Sequence, residues 1–254
     1  MFYKKNPLFS LLYIILFACI VSCNKNKLSD SVLVFTANGD IGQTLDAFRN
    51  QVGTTVNTTI GVVGGRREIN WDGVPPELLN KTLPGDFFNP TASDAPVSRK
   101  RGLVYSATAG EFIASNNGFA SVNASSADQF TAFSGSNSFA NVSSSLWDAE
   151  FRVAGSSELA TIKGFGLVFT DVDRENNAFI EFFHDQKSLG KFYAPAKNGK
   201  SNFSFLGVYF KNELITKVQI GHEASINSNI DINNGGSKDL VAFDDFIYSE
   251  PIKK

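Results

Sequence analysis

The chain has 254 residues, 43% hydrophobic and 19% charged, with 24 Phe, 21 Gly, two Cys and two His. That composition belongs to a globular protein weighted toward strands and turns, and it argues against disorder. The formal charge of −2 becomes more negative once Lys4 and Lys5 leave with an export segment, and no long basic run remains to follow a phosphate backbone, so nucleic acid is not an expected partner.

Residues 1–22 read as an export signal, with Lys4 and Lys5 ahead of an uncharged run from Pro7 to Ser22 rich in Leu, Ile and Phe. The run is too short for a membrane-spanning helix and stops at Ser22-Cys23. Ile20-Val21-Ser22-Cys23 resembles a bacterial lipobox, with Ile in place of the commoner Leu. That resemblance implies a lipidated Cys23, held on a membrane through buried acyl methylenes. An ordinary secretory signal with an incidental cysteine and, despite the short run, a membrane-spanning anchor are the alternatives. Cys19 lies inside the apolar run, so the folded part has no disulfide, thiol nucleophile or Cys-ligated metal.

Residues 23–31 are polar and read as a tether, and residues 32–254 as a single domain. Its first part, 32–98, is irregular. Val32 to Phe35 predicts a strand. Ile41, Leu45, Phe48 and Val52 share one helical face, and Gly53 stands where a C-terminal cap belongs. Arg66 to Gly73 reads as a strand with Arg67, Ile69 and Trp71 on one face and Arg66, Glu68, Asn70 and Asp72 on the other. Five prolines then punctuate the chain between Pro75 and Pro96.

The main sandwich is expected over 99–254, from strands near 103–105, 112–114, 130–133, 139–142, 147–153, 162–169, 178–183, 189–193, 203–210, 215–220 and 240–248. Short apolar runs at this spacing, with a single helical stretch, predict an all-β fold: an antiparallel sandwich with one short N-terminal helix. The abundant Phe suits a layer between packed sheets.

Several oxygen-rich groups suit a hard cation such as Ca²⁺. Asp171 and Asp173 lie in one turn, Asp231, Asn233 and Asp239 in a loop before the last strand, and Asp245 on that strand beside Asp244. Neighbours on a strand point to opposite faces, so only one of Asp244 and Asp245 is expected at an ion unless a bulge turns the other. Asp and Asn turns bonding their own backbone are the alternative. Arg66, Glu68, Asn70 and Asp72, with Trp71, make a candidate ladder for reading sugars. The same alternation also suits cross-strand salt bridges over a core Trp. His184 and His222 end strands, and neither sits near a nucleophile elbow or a phosphate-binding lysine loop, so no catalytic residue and no nucleotide site is assigned.

Four segments, GRREINWDGVP (64–75 with its leading Gly64), GFGLVFTDVD (164–173), FSFLGV (203–208) and DDFIYSEP (244–251), resemble a widespread group of uncharacterised exported bacterial proteins. The later half is similar to jelly-roll sandwiches of carbohydrate-binding and adhesion modules, an analogy of fold alone. The expectation is a non-catalytic lipoprotein of the bacterial cell envelope, facing the periplasm or the surface. Its expected partners are the membrane and a glycan or envelope protein, with Ca²⁺ as a stabilising ion. The alternatives are a carboxylate-dependent glycoside hydrolase or lyase, and a structural envelope protein without a small ligand.

Overall fold

The chain folds into strands β1 (Val32–Asn38), β2 (Arg66–Ile69), β3 (Leu103–Ser106), β4 (Phe112–Ser115), β5 (Ser138–Asn141), β6 (Leu146–Phe151) and β7 (Ala160–Thr161). They continue through β8 (Gly164–Thr170), β9 (Phe179–His184), β10 (Lys187–Tyr193), β11 (Phe203–Phe210), β12 (Lys217–Gly221), β13 (Ala242–Ser249) and β14 (Ile252–Lys253). The structure is a computed structural model that describes Met1, residues 31–199 and residues 201–254. The expected export signal, the expected lipidation site Cys23 and the expected tether up to residue 30 lie outside the described residues.

A seven-stranded sheet runs β1-β11-β8-β13-β5-β4, with β2 also on β13, and a five-stranded sheet runs β10-β9-β12-β6-β3. All their ladders are antiparallel, and β14 pairs with β7 in a third, two-stranded sheet. Side chains from both large sheets meet in one core: Trp147 lies edge-on to Phe243 at 5.7 Å, and Phe182 packs on Phe210 at 5.5 Å. The protein is an all-β antiparallel sandwich.

The large sheet is buried on its outer face too. Helix α1 (Gly42–Val52) lays Leu45, Phe48 and Val52 over Val168, Phe205 and Ile247. Its Gly53 cap donates to the Arg49 carbonyl, as the sequence predicts. Phe48 can approach because Gly166 and Gly207 face each other across β8 and β11. A Cβ on Gly207 would sit 2.8 Å from the Phe48 ring. Phe205 therefore packs beneath α1, while Leu206 and Val208 fill the layer between the sheets.

Two predicted strands differ. The stretch 130–133 is a loop, because the Phe133 amide is taken by the Asp244 carboxylate instead of a ladder. The segment from Arg66 leaves its strand after Ile69, and Trp71 turns the chain at φ 65°. Residues 32–98 contribute β1, β2 and α1 to the sandwich itself. Among the described residues, no helix is long and apolar enough to cross a membrane.

Candidate functional site

Strands β1, β8 and β11 run side by side, and the chain joins them at one end. The Ser31 carbonyl accepts from the Lys211 amide, next to the Val32–Phe210 pair. At the other end β8 runs out into Asp171, whose amide donates to the Asn202 carbonyl just ahead of Phe203. Phe203 and Phe210 are seven steps apart on β11, which separates the two ends by about 24 Å.

The far end carries the acidic cluster. Carboxylate oxygens of Asp171, Asp173 and Asp231 all lie within 4.8 Å of one another. Asp171 is held in the left-handed region at φ 69°, which turns the chain off the strand. Asp231 caps a short 3₁₀ turn: one oxygen accepts from the Asn233 amide at 2.7 Å and the other from the Leu240 amide at 2.8 Å. Asn233 donates to both oxygens of Asp173, and Gln129 donates to Asp171 at 2.7 Å. Asp239 is buried nearby, where one oxygen accepts from the Asp173 and Arg174 amides.

A lysine reaches into this cluster. The Lys197 ammonium bridges Asp171 and Asp173, at 2.7 Å from the latter. Burial pulls its pKa down, but the two carboxylates outweigh burial and hold it above the usual lysine value. Burial pushes the Asp171 carboxyl up, against the hydrogen bonds from Lys197 and Gln129. Asp239 is pushed up to about 6 by burial, against hydrogen bonds from Asn177 and two amides. The three carboxylates could hold a metal ion, since carboxylate oxygens keep lone pairs beyond those the amides use. An ion there would have to displace or share the position of the Lys197 ammonium.

A cleft of about 350 Å³ opens onto the cluster, lined by Asp128, Gln129, Asp171, Lys197, Asn202, Asn233 and Asn234, with Ala124 and Ala127 the apolar contacts. Planar amides, two carboxylates and an ammonium offer paired donors and acceptors in a small space.

Asp245 does not join these oxygens. The register of β13 against β8 shifts between Asp244 and Ile247, and Asp245 takes φ 34°. This bulge buries both neighbours, so neither faces water, and Asp245 meets a basic partner in Arg49. Asp244 accepts from the amides of Phe133, Ser134 and Asp245. Asp245 accepts from the Ser134 hydroxyl and from Arg49. Burial, and then the Asp245 carboxylate, push Asp244 up to about 8.

The sugar-reading ladder is tied down. Glu68 pairs with Arg49 of α1 and with Arg66, whose guanidinium also donates to the Gly53 and Thr54 carbonyls. Asn70 is exposed, and Asp72 accepts from the Ser136 amide. Trp71 is 0% exposed and stacks on Phe139 with centroids 3.6 Å apart. A ring enclosed in this way offers no face to a ligand, so Trp71 is a core residue. Trp147 is buried against Phe243 and Phe246 in the same core. His184 closes the β9–β10 hairpin, and burial drives the His222 pKa down to about 4.

Lys197, Gln129, Arg49 and Ser134 were not singled out by sequence reasoning. Each reaches its carboxylate from a loop or helix 26 or more residues away, and no local spacing marks it. The unpaired acids of the Asp171 turn were the one available hint that a distant cation must meet them. No family model, curated protein or solved structure matches the chain.

Proposed function

We propose that the protein is a non-catalytic, lipid-anchored component of a bacterial cell envelope, belonging with the exported proteins its four segments resemble. It binds a glycan or another polar envelope component in the cleft at the far end of the sandwich. One observation carries this reading: the polar cleft and the point where the tether joins stand at opposite ends of the same strands. A chain held by Cys23 would thus present the cleft away from the membrane. The lining supports a hydroxyl-rich ligand, because Gln129, Asn202, Asn233 and Asn234 supply amide donors and acceptors at fixed positions. Among the described residues the lining has no aromatic platform, and recognition rests on hydrogen bonds.

Calcium is the ion this proposal assigns to the carboxylate cluster, since the donors are all hard oxygens. Binding is preferred to hydrolysis because Asp171, which lines the cleft with Asp128, is committed to the Lys197 ammonium and the Gln129 amide, where hydrolysis needs two acids available to the bond to be cleaved.

The test is a glycan array probed with the purified protein and with its Gln129→Ala/Asn234→Ala variant. Binding that disappears in the variant, while its circular dichroism shows the native fold retained at the assay temperature, supports the cleft as the site. An empty array, or equal binding by both proteins, overturns it. Release of shortened oligosaccharides would establish the hydrolase alternative instead.

A further inference from the structure

The near end of the sandwich has a different chemistry. Val52, Ile162, Tyr209, Leu214 and Ile252 line a mainly apolar groove of about 180 Å³ edged by Lys163. Leu214 is 40% exposed and Ile252 57% exposed. Leu159, opposite the C-terminal strand, and Val63, just before the groove residue Gly64, add two more exposed apolar side chains. Such clustering marks an interaction surface more often than chance exposure does. The polar lining of the far cleft has no counterpart to it.

This surface surrounds the point where the tether joins. The Lys211 amide holds Ser31, and the Phe210 amide next to it holds the Lys163 carbonyl. Lys163 and Lys211 are both exposed, and neither forms an ion pair among the described residues. Ser31 lies eight residue steps after Cys23, a reach of at most about 28 Å when fully extended. A lipidated Cys23 therefore confines this end, and not the cleft end, to the neighbourhood of a bilayer.

Resting on the lipid-anchored reading above, we propose that the tether end is a membrane-contact surface seated on anionic phospholipid. Leu159, Leu214, Ile252 and Val63 enter the headgroup boundary, where apolar side chains gain by leaving water. Lys163 and Lys211 keep their stems along that apolar surface and put their ammonium groups among the phosphates. The anchor brings the surface to the membrane, and the surface sets the orientation that points the cleft outward.

The experiment uses the full lipidated chain in vesicles of phosphatidylcholine with phosphatidylglycerol. Its lipidation is first read from the intact mass. The folded part has no cysteine, so an environment-sensitive dye can be placed by Leu214→Cys and, as a second position at this end, Ile252→Cys. A control dye goes on Leu146→Cys, exposed at the opposite end of β6 from Leu159. The dyes at 214 and 252 should shift to the blue and be quenched by bromine-labelled acyl chains, while the dye at 146 stays in water. Lys163→Glu/Lys211→Glu should reduce that quenching without changing the melting temperature. An acylated protein that floats with the vesicles while its 214 and 252 dyes behave like the 146 dye overturns the contact surface alone. A mass without acyl chains overturns the anchored reading, and this surface with it.

Discussion

The Lys197 ammonium lies 2.7 Å from Asp173 and also bonds Asp171, so the carboxylate cluster carries its own cation. Because this charge comes from a loop outside the acidic turns, its removal tests whether the cluster accepts a metal. Lys197→Met should lose about 1–3 kcal/mol in chelator, the cost of leaving buried acceptors unpartnered. Ca²⁺ should restore the melting temperature by binding the folded state. A variant that Ca²⁺ fails to rescue would show that the carboxylates serve only the loops they stitch.

Acidity at the bulge predicts a pH dependence. Asp244 ionises near 8 in the folded protein and near 4 when unfolded, so the native state binds its proton more tightly. That contribution is complete below about pH 4 and is lost as the pH climbs through about 8. Asp239, raised to about 6, adds the same sign over a narrower range. Urea midpoints should therefore fall between pH 5 and pH 8, and Asp244→Asn should flatten the fall. Midpoints that rise instead would mean the three amide donors keep Asp244 ionised throughout.

Phe205 is buried against Phe48 at 5.5 Å beneath α1. Phe205→Ala should cost about 3–5 kcal/mol, a transfer loss plus a cavity beneath the helix. Gly207→Ala should also destabilise, by about 1–3 kcal/mol, because its methyl meets the Phe48 ring and overpacks the same site. Both are read from equilibrium denaturation. A loss under about 1 kcal/mol for Phe205→Ala would mean that α1 does not cover this face.

The chain has two tryptophans, both essentially without solvent exposure. Fluorescence should therefore be blue-shifted and resist iodide, and a saturating glycan should leave it unchanged. A ligand-induced shift would return Trp71 to the surface and reopen the ladder as a sugar site.

Much of this architecture is visible in local pattern. Phe165, Leu167 and Phe169 alternate along β8, and Leu45, Phe48 and Val52 recur at helical spacing on α1. These periodicities are properties of neighbouring residues, so the elements could be read in chain order. The 130–133 stretch shows the limit of that reading. Its residues suit a strand, but its backbone is claimed by a carboxylate more than a hundred residues away.

The sequence by itself determined the class of fold, most of the strand positions, the buried face of α1 and the oxygen-rich loops. Each of these is carried by residues adjacent in the chain or one helical turn apart. Only the tertiary structure decided which groups meet. It placed Lys197 among Asp171 and Asp173, turned Asp245 inward at a bulge, closed Trp71 behind Phe139, and set the polar cleft and the apolar groove at opposite ends of β11. Those pairings depend on sheet order and register, which bring together segments far apart in sequence and which no local spacing records.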